Sequence, residues 1–311
     1  MDPVEEQRGW ICPLQQCFAS PMSRQLLALQ ASSSVVGVAV GGPDESLIAC
    51  GTDVGVVHVW NRRNGHKLGT FSKYEQKLKY HGGPVAVAKD GNLVVSASGS
   101  TVFAWCVKSG ACSRELRGHT GAVTSLAITS AGDRIASASE DGTVRIWATR
   151  SGKCEFVLRH PEDEVLSIII RSDGCRLMSV SGNRKGRTTR ARVYAVGSNV
   201  TAICERTLDR RFVVISVAIA EDANSIIVGT APSELVMWAL DSNVYRVLDT
   251  EVSSTWRNPV ATTRDGSIVV SGSDSVIVST FGVGKQAHVY INCMVIQTRY
   301  RVLCFWMAGD V

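Results

Sequence analysis

The chain has 311 residues, of which 45% are apolar and 20% charged, and its 33 basic and 28 acidic side chains give a net charge of +5. This balance excludes wholesale disorder, which requires low hydrophobicity and high net charge. Ten cysteines are too few for a disulfide scaffold and form no CxxC pair, so they indicate reduced, mostly buried thiols.

The first residues carry no targeting signal that we recognise. Residues 1–6 are acidic, whereas signal and transit peptides begin with basic residues. The apolar runs are far shorter than the ~20 residues of a membrane-spanning helix. We therefore expect a cytoplasmic or nuclear protein without a signal peptide or a transmembrane segment. We expect residues 1–23 to be an N-terminal extension and residues 24–311 to form one domain.

Six similar units follow one another along the chain. Each has two short apolar segments and then a third segment that ends in an aromatic residue, and successive aromatic residues are 42 to 47 positions apart. Four strands repeated every 40–45 residues is the period of a β-propeller blade. The aromatic residues are Trp60, Trp105, Trp147, Tyr194, Trp238 and Phe281.

A long loop joins the first unit to the second and mixes basic with aromatic residues. Lys73, Lys77 and Lys79 alternate with Tyr74 and Tyr80. Such a mixture suits contact with nucleic acid, although one glutamate dilutes it. The three lysines are therefore candidate interface residues.

The third unit is the most regular of the six. Gly118 and His119 precede an apolar strand, Ser137 lies in the second strand, and Asp141 lies in the turn before the third strand. Gly and Asp suit such tight turns because they tolerate the required dihedral angles. The third strand ends at Trp147.

In these residues the chain resembles the WD-repeat β-propellers, and a weaker resemblance extends over roughly residues 24–290. It implies an all-β propeller in which His119, Ser137, Asp141 and Trp147 form a structural hydrogen-bonded tetrad. It also implies that His81 and His160 form hydrogen bonds within their own blades rather than acting as ligands or bases. The other units keep parts of the tetrad, and the third strands lack the Trp-Asp dipeptide.

The fourth unit contains an insertion that is strongly basic. Residues 184–192 hold five basic side chains and no acidic one, so the rest of the chain has 28 of each. The resemblance places this turn on a face that commonly contacts partners. A basic loop there suits phosphates or acidic protein surfaces, and a solvated surface insertion is the alternative. The candidate residues are Arg184, Lys185, Arg187, Arg190 and Arg192.

Two further groups of residues have less specific patterns. The run Glu162-Asp163-Glu164 beside His160 is expected to be an ordinary solvated turn. Trp256 and Arg257 precede the sixth unit, and both residue types are common at the centres of protein interfaces. Trp256 packed under its own loop is the alternative.

We expect seven four-stranded blades, of which six are clear and the last is divergent or incomplete. The seventh would combine segments from both ends of the chain, which would remove free sheet edges. Six blades with ragged ends is the alternative. The segments are residues 24–29, 293–296 and 301–306, with Trp10 ending a further strand.

Because a propeller displays its loops rigidly, partners bind with little ordering cost. We therefore expect a non-catalytic scaffold or adaptor for a multiprotein complex. The alternative is an RNA- or ribonucleoprotein-associated propeller that binds anions through residues 184–192. A propeller hydrolase is a remote alternative. The nucleotide-binding, nucleophile-elbow and paired-histidine motifs are absent, so we expect no cofactor, metal or small-molecule substrate.

Overall fold

The computed structural model describes most of the first two thirds of the chain and separate strands beyond it. Within these residues the secondary structure consists of β-strands and one short 3-10 turn, Pro43–Glu45. No helix in this part of the chain is long and apolar enough to cross a membrane. The described ranges are 25–32, 35–72, 82–161, 163–171, 173–183, 188–208, 213–219, 225–231, 235–239, 244–248, 260–262, 268–272, 278–282, 293–297 and 301–306.

The first three four-stranded sheets follow one another along the chain, and in each the strands pair antiparallel in sequence order. Sheet 1 contains β2 (Val35–Gly41), β3 (Leu47–Thr52), β4 (Val57–Asn61) and β5 (Lys67–Phe71). Sheet 2 contains β6 (Gly82–Val87), β7 (Leu93–Ser98), β8 (Thr101–Cys106) and β9 (Cys112–Leu116). Sheet 3 contains β10 (Val123–Ile128), β11 (Arg134–Ser139), β12 (Thr143–Ala148) and β13 (Cys154–Arg159).

The next sheets repeat the same order, and sheet 6 has three described strands. Sheet 4 contains β14 (Glu164–Ile170), β15 (Arg176–Asn183), β16 (Thr188–Val196) and β17 (Val200–Leu208). Sheet 5 contains β18 (Val213–Ile219), β19 (Ser225–Ala231), β20 (Leu235–Ala239) and β21 (Val244–Leu248). Sheet 6 contains β22 (Val260–Thr262), β23 (Ile268–Gly272) and β24 (Val278–Gly282). These sheets confirm the predicted all-β class and agree with a WD-repeat propeller.

A further sheet joins strands from the two ends of the chain. In it, β1 (Gln25–Gln30) pairs antiparallel with β26 (Arg301–Trp306), which pairs in turn with β25 (Cys293–Gln297). These are the terminal segments that the sequence suggested for a closing blade. Trp10 lies outside the described residues, and the number of seven blades stays a prediction.

The core lies between the faces of neighbouring sheets. Val94 of β7 packs in a cluster with sheet 1, whereas the adjacent Val95 packs with Ile135 and Trp147 of sheet 3. Side chains alternate between the two faces of a strand, so an inner strand covered on both sides buries the side chains of both faces. Each fully buried side chain of this size contributes about 1.5–3 kcal/mol. Stacking against the neighbouring sheet therefore stabilises units that bury too little alone.

The sheets also share an irregularity at the same place. In sheets 1, 2, 3 and 4 the pairing of the third and fourth strands shifts by a β-bulge next to the aromatic residue, as at Trp147 and Tyr194. A bulge adds a residue and increases the local twist. The recurrence shows that the aromatic position is structurally equivalent in these units.

Antiparallel order also decides where the loops lie. Successive turns alternate between the two ends of a sheet. The turns between second and third strands therefore share one end with the connections that lead to the next sheet. We call this the upper end, and the opposite one the lower end.

Candidate functional site

Four polar or aromatic side chains of sheet 3 form a chain of hydrogen bonds near the upper end. The Trp147 Nε1–H donates to Ser137 Oγ at 2.8 Å, and Ser137 Oγ lies 2.7 Å from His119 Nε2. His119 Nδ1 lies 2.9 Å from Asp141 Oδ2. Because a carboxylate only accepts, Nδ1 carries the imidazole proton and the Ser137 hydroxyl donates to Nε2. The structure thus brings these four residues together in one directed network.

Asp141 fastens two loops to each other. Its Oδ2 accepts the Thr120 N–H at 2.9 Å, and its Oδ1 accepts both the N–H and the hydroxyl of Thr143, at 2.9 and 2.6 Å. Burial raises the pKa of Asp141, but the hydrogen bonds from Thr143, Thr120 and His119 outweigh it and lower the pKa to about 2. The charged carboxylate therefore ties the connection before β10 to the turn between β11 and β12.

The ring of His119 is a structural element rather than a base. Burial lowers its pKa below the ordinary value, although the hydrogen bond and charge of Asp141 act in the opposite direction. Its side chain is inaccessible to solvent. A neutral, enclosed imidazole with both nitrogens bonded positions the loop and has no free lone pair for chemistry.

Sheet 4 contains a related but incomplete network. His160 Nε2 lies 2.8 Å from Ser179 Oγ and 3.3 Å from the Tyr194 hydroxyl. Burial, followed by the charge of Arg192, lowers the pKa of His160 to about 4. Tyr194 thus occupies the place of Trp147. The buried His160 Nδ1, unlike that of His119, has no hydrogen-bond partner among the described residues.

Asp163 is buried in the connection that leads into sheet 4. Only 4% of this residue is exposed. Its Oδ2 accepts from Arg190 Nη1 at 2.6 Å and from the Ser181 hydroxyl at 3.3 Å. The expectation of a solvated turn is therefore wrong for Asp163, because it balances the charge of an arginine on β16.

A cavity of about 440 Å³ opens at the upper end between sheets 3 and 4. It lies between the turn that follows β11 and the connection from β13 to β14. These two segments touch: the His160 N–H donates to the Gly142 carbonyl at 2.7 Å. Its polar lining consists of Glu140, Asp141, Thr143, Arg159, His160, Asp163 and Glu164.

The sequence of the third unit matches the model of a known protein family. Residues 110–148 match the family model of the WD domain, G-beta repeat. This segment is a WD40 repeat. No curated protein matches the chain. The WD40 repeat contains the whole tetrad of sheet 3, and no subfamily follows from it.

WD40 repeats generally mediate contacts between proteins, and their domains are typically non-catalytic. Two other sheets also hold hydrogen bonds between polar or aromatic side chains, one of them with a different placement of the residues. In sheet 2 the Trp105 Nε1–H donates to Ser96 Oγ at 2.8 Å, as in the WD40 repeat. In sheet 1 a histidine on the third strand, His58, lies 2.9 Å from the hydroxyl of Ser32 before the first strand. His81 lies outside the described residues.

The basic insertion differs from the loop that the sequence suggested. Residues 188–192 belong to β16, and the pairing of Asn183 with Thr188 leaves residues 184–187 between the strands. Strand β16 alternates, so Thr189 and Ala191 are buried while Arg190 and Arg192 share the other face. The insertion therefore mainly lengthens a hairpin.

The two described arginines of this insertion have partners inside the sheet. Arg190 pairs with Asp163, and Arg192 forms two hydrogen bonds with Glu205, at 3.0 and 3.1 Å. Arg192 also donates to the Ser181 hydroxyl at 3.1 Å. Both guanidinium groups therefore have carboxylate partners inside sheet 4, and their role in binding an anion or a partner stays a prediction. Arg184, Lys185 and Arg187 lie outside the described residues.

The remaining candidate interface residues also lie outside the described part of the chain, so their role stays a prediction. They are Lys73, Lys77, Lys79, Trp256 and Arg257. Within the described residues, no group of three or more His, Cys, Asp or Glu side chains is arranged to hold a metal ion.

The sequence did not identify Asp163 and Glu205 as the ion-pair partners of Arg190 and Arg192. Both form ion pairs across the sheet with β16, at positions distant along the chain. The alternation of small or apolar residues with arginine from Thr189 to Val193 was the available signal, since it is the pattern of a half-buried strand. It would have placed both arginines on one face of a strand.

Proposed function

We propose that the chain is a non-catalytic protein-interaction scaffold, with residues 24–311 as one propeller domain. One observation carries this proposal: the tetrad of the WD40 repeat fastens two upper-end loops to buried strands. The loop at Thr120 and the turn at Asp141 are held through the same carboxylate. Loops fixed in this way lose little conformational entropy when a partner binds.

The chemistry of the described histidines supports a binding role. The rings of His58, His119 and His160 are buried, and each makes hydrogen bonds with neighbouring side chains. Burial also lowers the pKa of each of them. A general base near neutral pH needs a pKa close to that pH and access to a substrate. We propose a cytoplasmic or nuclear location, in keeping with buried or reduced thiols such as Cys50.

A matched pair of variants tests whether the upper end binds partners. The upper variant combines Glu140→Arg with Arg159→Glu, and the lower variant combines Asp90→Arg with Arg150→Glu, so neither changes the net charge. All four side chains belong to exposed residues. After affinity purification of the tagged full chain, mass spectrometry should recover partners with the wild type and the lower variant, and lose them with the upper variant. Equal recovery with both variants would refute an upper-end interaction site.

The RNA-associated alternative is decided in the same purification. If residues 184–192 bind RNA, ultraviolet crosslinking recovers nucleic acid and the complex weakens steeply as salt is raised. Two of the five cations already pair with Asp163 and Glu205. We therefore expect recovery of partners to survive ribonuclease treatment, and loss after that treatment would favour the alternative.

A further inference from the structure

The upper-end cavity between sheets 3 and 4 is acidic, although the chain as a whole is basic. Four carboxylates line it, together with one arginine, Arg159. Glu140 is exposed at its mouth, and Asp163 is buried in its wall. Carboxylates gathered in a partly enclosed space attract a cation, since the low local dielectric strengthens the interaction. The carboxylates are those of Glu140, Asp141, Asp163 and Glu164.

Asp163 Oδ1 and His160 Nδ1 in the lining are buried and lack hydrogen-bond partners among the described residues, and their residues are 4% and 2% exposed. Buried polar groups nearly always have a partner, and leaving one unpaired costs about 1–3 kcal/mol. The Oδ1 atom is an acceptor. The Nδ1 atom is also an acceptor when the Nε2–H donates to Ser179 Oγ.

The corresponding histidine nitrogen in sheet 3 has a hydrogen-bond partner of the kind that His160 Nδ1 lacks among the described residues. His119 Nδ1 bonds to Asp141, which lies in the turn two residues after Ser139. In sheet 4 the residue that corresponds to Ser139 is Ser181, and the residue two positions after it is Asn183, at the edge of the inserted segment. Sheet 4 therefore lacks the aspartate that completes the tetrad in sheet 3. Asp163, whose other oxygen accepts from Arg190, lines the cavity itself.

We infer that this cavity receives a basic side chain, with arginine as the best fit, from a protein partner. This inference rests on the proposed scaffold function and gives the chemistry of one contact. A guanidinium group offers five donors in a rigid fork, which suits a site with several acceptors. A lysine ammonium offers three donors and the same charge. Asp141 holds the turn on one side of the cavity, and the connection on the other side is held by the hydrogen bond from His160 N–H to the Gly142 carbonyl and by the ion pair of Asp163 with Arg190, so the acceptors are in place before the partner arrives.

Saturation-transfer NMR on the full chain tests the inference with three small probes. They are the N-acetyl, N-methylamide derivatives of arginine, lysine and citrulline, the last being neutral but similar in shape to arginine. We expect transfer to the side-chain protons of arginine and lysine and none to citrulline. Equal transfer to citrulline, or no transfer to any probe, would overturn the inference and leave the cavity filled by water.

Variants then locate the site. Asp163→Asn should weaken arginine binding about tenfold, the effect of losing one charge-assisted hydrogen bond. If this variant does not fold, Glu140→Gln, at an exposed residue, carries the test and should weaken binding about threefold, the effect of losing one exposed ion pair. Glu155→Gln removes the same charge on β13, where Glu155 pairs with Arg134, and should leave binding unchanged. Wild-type affinity in a folded Glu140→Gln variant contradicts the proposed site.

The two proposals fail in distinguishable ways. If tagged wild-type chain recovers protein partners but no basic probe binds, the cavity inference is wrong and the scaffold function stands. If arginine binds at the cavity but no partner is recovered, the scaffold function is wrong while the cation site itself remains.

Discussion

Replacing Ser137 by alanine removes the atom at the centre of the tetrad. Ser137 is fully buried, and its oxygen accepts from Trp147 Nε1 and donates to His119 Nε2. Without this oxygen, a buried N–H and a buried imidazole nitrogen lose their partners. Each unsatisfied group costs about 1–3 kcal/mol, so the two together should reduce the free energy of unfolding by about 2–6 kcal/mol. Since small domains are stable by roughly 5–15 kcal/mol, this loss is large.

Urea unfolding followed by far-ultraviolet circular dichroism measures this loss. Hydrogen exchange with mass spectrometry adds a local measurement, because the amides near Thr120 and in the turn at Asp141 should lose protection. The matched control is Ser113→Ala on β9. The Ser113 hydroxyl of this exposed residue donates to the Ala104 carbonyl at 3.0 Å, so its removal costs one hydrogen bond and leaves no buried N–H or imidazole nitrogen without a partner. The control should therefore cost less than about 1 kcal/mol.

A double-mutant cycle with Trp147→Phe tests the reasoning more strictly. Phenylalanine keeps an aromatic ring but removes the indole N–H that donates to Ser137. Residues that share a hydrogen bond are non-additive, so we expect an interaction free energy of about 1 kcal/mol. Additive effects of the two changes, or a Ser137→Ala cost no larger than that of Ser113→Ala, would refute the idea that this network fastens the loops.

Three further predictions concern sheets 3 and 4. Burial lowers the pKa of His160 from 6.5 to about 4, so the unfolded chain binds the proton first. This residue alone should reduce the free energy of unfolding by up to about 3 kcal/mol as pH drops from 6.5 to 4. In urea titrations, His160→Asn should remove that part of the pH dependence, while His58, whose pKa burial also lowers to about 4, keeps its own part. Arg190→Met should reduce the free energy of unfolding by about 3 kcal/mol, because it leaves the buried carboxylate of Asp163 without its ion pair. Arg192→Met should reduce it by about 1 kcal/mol, because the carboxylate of its partner Glu205 is half exposed. Equal shifts in the urea midpoint of the two variants would contradict this. In thermal unfolding, Gly142→Ala should reduce the free energy of unfolding by more than about 2 kcal/mol, because φ is 74° and a Cβ would lie 2.9 Å from a main-chain oxygen. Gly55→Ala has a similar φ of 78°, but the nearest atom to its Cβ would be 3.4 Å away, so it should reduce this free energy by about 1 kcal/mol.

The fold was largely predictable because its repeating features are local in sequence. The aromatic residue that ends each third strand, such as Trp60 or Trp238, recurs at a nearly constant interval and lies in the third strand of its sheet. The ion pair between Asp163 and Arg190 was not predictable in the same way. Its members lie in segments that each read as a solvated loop, and only the stacking of the connection against β16 brings them together.

The comparison of sheets 3 and 4 explains how a divergent unit keeps its architecture. In sheet 3 the turn supplies an aspartate, Asp141, that reaches back to the incoming connection at Thr120. In sheet 4 the incoming connection supplies the aspartate, Asp163, which reaches forward to Ser181 on β15 and Arg190 on β16. In each sheet one carboxylate with little solvent exposure ties the incoming connection to the second- and third-strand hairpin.

The ion pairs of sheet 4 also affect what the net charge of the chain says about its binding surface. The excess of basic residues coincides with residues 184–192, yet Arg190 and Arg192 neutralise carboxylates of their own sheet. Beside them the upper end presents a cavity with more acidic than basic side chains. The net charge therefore does not decide the sign of the binding surface, because internal ion pairs remove charges from it. The acidic cavity, rather than the overall basicity, determines which partner chemistry we expect between sheets 3 and 4.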